Sequence, residues 1–209
     1  QLLNEQDFAA LLDELQQPLR SAIRLNKLKT DPKTAIEGLG LRYGWQLEPV
    51  NYCETGWWIS KTAGTSISKT IEHRLGQYYI QDAASMLPVE LFSPDSLPAE
   101  APLILDMAAS PGGKTTHLVD KIGDSGLVVA NDSSRERLTA LRLVLQTWGA
   151  INAVVTQFPG EKFGAWYPDT FDRVLLDAPC SMENLRSTES HPMRPISPRE
   201  RSTLAQRQA

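Results

Sequence analysis

"LILDMAASPGGKTTHLV", residues 103–119, decides the fold of this 209-residue chain. The apolar run from Leu103 to Met107 reads as a strand, Gly112 and Gly113 as a tight turn, and residues 113–122 as a helix. The closing "GGKT" imitates a phosphate-binding loop, and "VLLDAP" at 174–179 imitates the magnesium-binding acid that accompanies one. A true loop of that kind needs a glycine at position 108, where this chain has Ala108. Pro111 also removes one amide that would cradle a phosphate. Both departures weaken the nucleotide-hydrolase reading.

Working outward, the strand–turn–helix repeats. Leu127–Ala130 reads as a strand, Ser134–Trp148 as a helix with Leu138, Leu141 and Leu145 on one face, and Ala153–Thr156 and Phe171–Leu176 as further strands. Strands alternating with helices predict a doubly wound parallel sheet of the α/β class. In such a sheet Gly112 and Gly113 let the backbone pass close under a ligand. An acid at the end of the next strand would hold ribose hydroxyls, and Asp132 stands there, 26 residues after Asp106. Ser197 and Pro198 form a cap and first turn, so a helix starts near the end of the sequence. Four strands are expected before that helix, so the sheet reads as C-terminally incomplete, truncated after its fourth core strand.

Residues 1–75 read as a small α+β domain and residues 76–209 as the sheet domain, with the Pro/Ser-rich "SPDSLPAEAP" (93–102) as a loop. A helix over 5–17 stops at Pro18. It is followed by "PLRSAIRLNKLKTDPK" (18–33), a strand flanked by Arg20, Arg24, Lys27 and Lys29. These four are candidate contacts to an RNA backbone, or alternatively charges guarding a sheet edge. Arg186, Arg194, Arg199 and Arg201 carry the same two readings. Trp45, Trp57 and Trp58 could stack on bases, but aromatic burial in a core is the default.

Composition is that of an ordinary globular protein, with 41% hydrophobic and 22% charged residues. There is no apolar run approaching about 18 residues, so no membrane span is expected. The net charge of −4 excludes a surface coated in basic charge, but a local basic face remains sufficient for nucleic acid. Two cysteines (Cys53 and Cys180) and three histidines show no zinc-ligand spacing, so no metal is expected. So few cysteines suit a reducing cytoplasm.

"DAPC" (177–180) carries the chemistry. Carbon 5 of cytosine is too weak a nucleophile to accept a methyl group unaided. A thiolate added at carbon 6 makes the ring enamine-like, and an acid at N3 stabilises the developing charge. Asp177 and Cys180 at a strand's C-terminal end fit that scheme. Free cysteines are often plain core filler, but the strand-end context favours a functional thiol here.

"LDMAASPGGKTT", "ANDSSRERL" and "VLLDAPCS" resemble the cofactor and catalytic motifs of the Nop2/Sun family of RNA 5-methylcytosine methyltransferases. "RLNKLK" (24–29) and "GQYYIQDAASMLP" (76–88) resemble its upstream motifs, and "YGWQLEPVNYCETGWWI" (43–59) is similar to its bacterial small-subunit rRNA branch. The resemblance implies a class I, Rossmann-like sheet binding S-adenosylmethionine and an RNA substrate, 16S rRNA first and tRNA as the alternative. Ala108, Ala109, Ser110, Pro111, Gly112, Gly113 and Lys114 would line the methionine and ribose parts of the cofactor. Asp132 would take the ribose hydroxyls. Asp177 would lie by cofactor and base, and Cys180 would assist release of the methylated RNA.

In that family the attacking cysteine lies in a Thr-Cys pair on a later strand, and these 209 residues contain no such pair. Pro159 stands where the family has an acid for the adenine amino group, and "PCSMEN" replaces "PCSGEG". A non-catalytic RNA-binding module is the competing expectation.

Overall fold

The computed structural model describes residues 3–16, 20–61, 64–92, 101–178 and 197–208. The chain divides into two compact units, Ser21–Asp177 and a second made of Gln1–Arg20 with Ala178–Ala209. The second unit holds α1 (Glu5–Gln16) and, near its other end, α8 (Pro198–Gln208). Asn4 accepts the Asp7 amide at 2.8 Å, and Ser197 accepts the Glu200 amide at 3.2 Å. Both are side-chain caps of the kind that satisfy a helix's first free N–H groups.

Within Ser21–Asp177 the first sheet is antiparallel, ordered β2-β3-β1-β4, from β1 (Ser21–Leu25), β2 (Trp45–Val50), β3 (Cys53–Lys61) and β4 (Tyr78–Ile80). Its last strand lies past residue 75, so this sheet reaches beyond the expected boundary. Helix α2 (Pro32–Tyr43) starts at the Asp31 cap with proline at its first position, and Leu39 packs on Ile23, Leu25, Trp45, Ile59 and Tyr78. Trp45 is therefore core, and Trp57 and Trp58 pack against core clusters. The short helices α3 (Ile71–Arg74) and α4 (Leu87–Glu90) flank β4.

The second sheet is parallel and ordered β7-β6-β5-β8. Its strands are β5 (Leu103–Asp106), β6 (Leu127–Asn131), β7 (Ala153–Thr156) and β8 (Arg173–Leu175). Helices α5 (Gly113–Ile122), α6 (Arg135–Trp148) and the short α7 (Phe163–Trp166) connect them. Buried Leu118, Val119 and Ile122 of α5 meet Ile104 and Val128, whereas Leu138, Leu141 and Leu145 of α6 meet Ala109 and Ala130. The 3.6-residue period read from the sequence is what presents these faces to the sheet.

The basic stretch 20–29 divides by side. Arg24 has no exposed surface. Its guanidinium forms an ion pair with Asp120 and donates to Gln81 Oε1 (3.0 Å), Thr116 Oγ1 (2.6 Å) and Gly113 O (3.2 Å). It also lies 4.5 Å from the centre of the Trp148 ring. The expectation that Arg24 touches RNA is therefore corrected, because its charge and donors are spent inside the protein. Asn26, equally buried, donates to Gly76 O and Trp148 O, both at 2.8 Å. Lys29 donates to Leu75 O at 2.8 Å and to Thr147 O in the last turn of α6, so it caps that helix. Lys27 pairs with Glu54 at 2.6 Å on the surface, and Arg20 is exposed in the other unit.

Replacing Arg24 by Ala leaves the Asp120 carboxylate buried without its cation, which should cost about 3–5 kcal/mol in urea unfolding. Arg24→Lys should recover little, since one ammonium cannot serve four separated partners. A loss below about 1 kcal/mol for Arg24→Ala would refute the clamp.

Candidate cofactor and base site

Strand β5 delivers Asp106, 1% exposed, to the head of the turn. Thr115 Oγ1 donates to Asp106 Oδ2 at 2.6 Å, while Oδ1 has no partner among the described residues. Burial pushes this carboxyl up to about 6, opposed by the Thr115 hydrogen bond and by Lys114. The turn then crosses a cis Ser110–Pro111 bond and reaches Gly112, whose φ of 117° favours glycine. A Cβ on Gly112 would come within 2.9 Å of Val144 Cγ1, and one on Gly113 within 2.9 Å of Tyr79 Cε1. Two neighbouring elements thus press against the turn and leave room only for backbone.

Ala109 donates its amide to Asn131 O at 2.7 Å, tying the turn to the end of β6. Asp132 is buried behind the turn. Its Oδ2 accepts from the Ser110 amide at 3.2 Å, its Oδ1 from the Ser134 amide at 2.9 Å, and Arg137 Nη1 lies 3.5 Å away. Each oxygen keeps a further acceptor site. Across the cleft, Lys114 Nζ donates to Asp177 Oδ2 at 2.7 Å, joining the turn to the residues that follow β8. Tyr79, Gln81 and Asp82 line the same cleft as Ser110, Lys114 and Asp177. Cys180 lies outside the described residues, as do Arg186 and Arg194.

Two participants went unread in the sequence. Asn131 donates to Met107 O and Phe158 O (both 3.0 Å) and accepts from Phe158 N (2.9 Å) and Thr156 Oγ1 (3.0 Å). It holds the C-terminal ends of three strands in register. A buried asparagine closing a strand, just before the ribose acid, is the signal that could have found it. The segment Tyr79–Asp82 lies in the stretch 76–88 that resembles the family's upstream motifs, but no local pattern shows that it returns to the glycine turn. Pro159 follows Phe158 on the β7 loop and precedes a 3-10 turn at Gly160–Lys162.

The strand order puts the topological reversal between β5 and β8, where the glycine turn and Asp177 meet. This is the sheet and crevice of a class I, Rossmann-like methyltransferase. A model of the 16S rRNA methyltransferase RsmB/F family matches residues 96–208, and one of the N-terminal domain of 16S rRNA methyltransferase RsmF matches residues 1–83. The chain belongs to the RsmB/F family, whose members are S-adenosylmethionine-dependent.

It is 41% identical over 186 residues to the ribosomal RNA small subunit methyltransferase F of Pectobacterium atrosepticum, covering 88% of this chain and 37% of that protein. For the protein of the same name from Klebsiella pneumoniae the identity is 38% over 205 residues, covering 97% and 42%. The crystal structure of a methyltransferase homolog protein from Pyrococcus horikoshii has a TM-score of 0.72 and 30% identity, over 85% of this chain and 56% of that one. The chain spans about two fifths of the length of the curated relatives it matches.

The charges at the turn fit the family's cofactor. Asp106, Asp132 and Asp177 lie close enough to influence one another, and the one lysine of the turn is already bonded to Asp177. Such a cluster repels a triphosphate and attracts a sulfonium cation. The phosphate-loop reading, weakened by spacing, is weakened further because its lysine is already committed to Asp177.

Asp106 makes this testable through pH. Its folded pKa, about 6, lies above the ordinary aspartate value of 3.8, so between these values the folded protein holds a proton that the unfolded chain releases. Stability from this group is full below about pH 4 and is lost as pH rises through 6. Asp106→Asn removes the effect, so its stability relative to wild type should rise by up to about 3 kcal/mol between pH 4 and 7 in urea titrations. A pH-independent difference would show that Asp106 binds its proton alike in the folded and unfolded chain, and would overturn the raised pKa.

Proposed function

We propose that this chain binds S-adenosylmethionine at Ala108–Lys114 and serves methylation of cytosine C5 in small-subunit rRNA. The observation that carries the reading is the Lys114–Asp177 pair, at 2.7 Å, at the reversal point of a methyltransferase sheet and three residues before Cys180. Bound there, the cofactor supplies an electrophilic methyl group. The glycine turn and Asp132 hold its methionine and ribose portions. The Asp177 side chain is 59% exposed, so it can meet an incoming base while Lys114 keeps it oriented. From there it is placed to hydrogen-bond the edge of the cytosine ring as the methyl group is transferred. Cys180 assists release of the methylated RNA. The target base must leave its stack, at about a few kcal/mol. Arg20 and Lys27 serve as phosphate contacts, with the ammonium of Lys29 partly committed to its helix cap.

The thiolate that attacks carbon 6 in the family belongs to a Thr-Cys pair that these 209 residues lack. These 209 residues are expected to bind cofactor without completing transfer. Calorimetric titration with S-adenosylmethionine should show one site, weakened about tenfold or more by Lys114→Ala, which releases Asp177 from its only described partner in the turn. Pro159→Asp should tighten binding by up to about tenfold, because a carboxylate there can accept the adenine amino group. No change would remove Pro159 from the adenine site.

The activity is tested with a longer gene product containing this sequence, incubated with methyl-labelled cofactor and either 16S rRNA or tRNA. Label at C5 of cytosine in 16S rRNA is the expected result. Label in tRNA alone would move the substrate, and label on a ring nitrogen or ribose would overturn the mechanism. Absence of transfer despite RNA binding would favour a non-catalytic module.

A further inference from the structure

No cysteine or histidine pair in the sequence has zinc-ligand spacing, yet folding gathers Cys53 of β3, Glu90 at the end of α4 and His117 of α5. Their donor atoms all lie within 4.8 Å of one another. His117 Nε2 is 3.0 Å from Glu90 Oε1 and 3.9 Å from Cys53 Sγ. We propose that Cys53 Sγ, Glu90 Oε1 and His117 Nε2 form a binding site for a zinc-type divalent metal, clipping the antiparallel sheet to helix α5.

The distances suit such an ion. Zinc bonds of about 2.0–2.3 Å in a tetrahedron separate neighbouring donors by about 3.4–3.6 Å. The two separations from His117, 3.0 Å to Glu90 and 3.9 Å to Cys53, bracket that range, and the third lies within 4.8 Å, so the side chains have to close by no more than about an ångström to fill three of four positions. The donor set selects the ion as well. Thiolate with imidazole and carboxylate is a zinc combination, whereas magnesium and calcium take oxygen donors.

Charge and burial agree with this assignment. Cys53 and His117 are each 2% exposed, and Glu90 offers the more open side. A thiolate and a carboxylate balance a dication, so no net charge is placed beside the buried Arg24. Lys121 bonds Glu90 Oε2, leaving Oε1 toward the other donors and fixing the carboxylate's orientation. Thr55 Oγ1, 3.8 Å from Cys53 Sγ, is placed to donate to a thiolate. Binding releases the thiol proton to solvent, and for Nε2 to become a ligand the imidazole proton that it gives to its Glu90 hydrogen bond must move to Nδ1. That nitrogen has no partner in the described structure with or without metal, so it does not weigh between the two states.

The site is separate from the cofactor cleft, so its test does not depend on the methyltransferase reading. The chain is stripped with a chelator under reducing, oxygen-free conditions and titrated with Co²⁺, then Zn²⁺. The expected result is one Co²⁺ per chain with a thiolate-to-cobalt charge-transfer band, displaced by Zn²⁺. Cys53→Ser should abolish the band and Cys180→Ser should keep it. Glu90→Gln and His117→Gln should each weaken Co²⁺ at least about tenfold. Zn²⁺ should raise the thermal midpoint of the wild type but not of Cys53→Ser, with circular dichroism confirming that the stripped variants are folded. No band at stoichiometric Co²⁺, a band that survives Cys53→Ser, or one lost in Cys180→Ser would overturn the site. So would a thermal midpoint indifferent to Zn²⁺.

Discussion

The Arg24–Asp120 pair joins the antiparallel sheet to the helix that carries the cofactor turn. A buried guanidinium is tolerable only when a counter-charge and hydrogen-bond acceptors replace the water it has lost. Here those partners come from three places: Gln81 beside β4, the first two turns of α5, and Asp120 further along α5. Satisfying one side chain therefore sets the position of α5 against the first sheet. Because α5 begins at Gly113, the same arrangement sets the turn. Asn26, reaching Gly76 and Trp148, makes a second bond of this kind toward α6.

Once α5 is placed, the turn has little freedom. Tyr79 presses on Gly113 and Val144 on Gly112, so side chains are excluded from both positions. Asn131 gathers the ends of β5, β6 and the loop after β7 with four hydrogen bonds. The carboxylates of Asp106, Asp132 and Asp177 then share one small region. Burial, and to a lesser degree the neighbouring Asp177 and Asp132, raise the Asp106 pKa, while Lys114 offsets part of the charge.

Much of the second sheet was legible from local pattern. Helix α5, helix α6 and strand β7 fall within a residue of their expected limits, because apolar period and turn chemistry act over short range. The candidate site was legible in part for the same reason: a strand end, a glycine turn and an acid after the next strand are local signals. The basic stretch 20–29 was harder to read. Strand β1 lies inside its sheet and is buried on both faces, so Arg24, and Asn26 just past the strand, are enclosed, whereas Lys27 and Lys29 follow its end at the surface. Counting charges along the chain cannot separate a buried clamp from a phosphate contact.

The sequence by itself determined the class of sheet, the glycine turn, the likeness to RNA cytosine methyltransferases and the absence of a Thr-Cys pair. Each depends on residues adjacent in the chain, where sterics and periodicity leave few choices. Only the tertiary structure decided that Arg24 binds Asp120 across 96 residues, that Tyr79 closes on the turn, and that Cys53, Glu90 and His117 meet. Those are encounters between distant segments, and their geometry is set by how whole sheets and helices pack rather than by spacing along the chain.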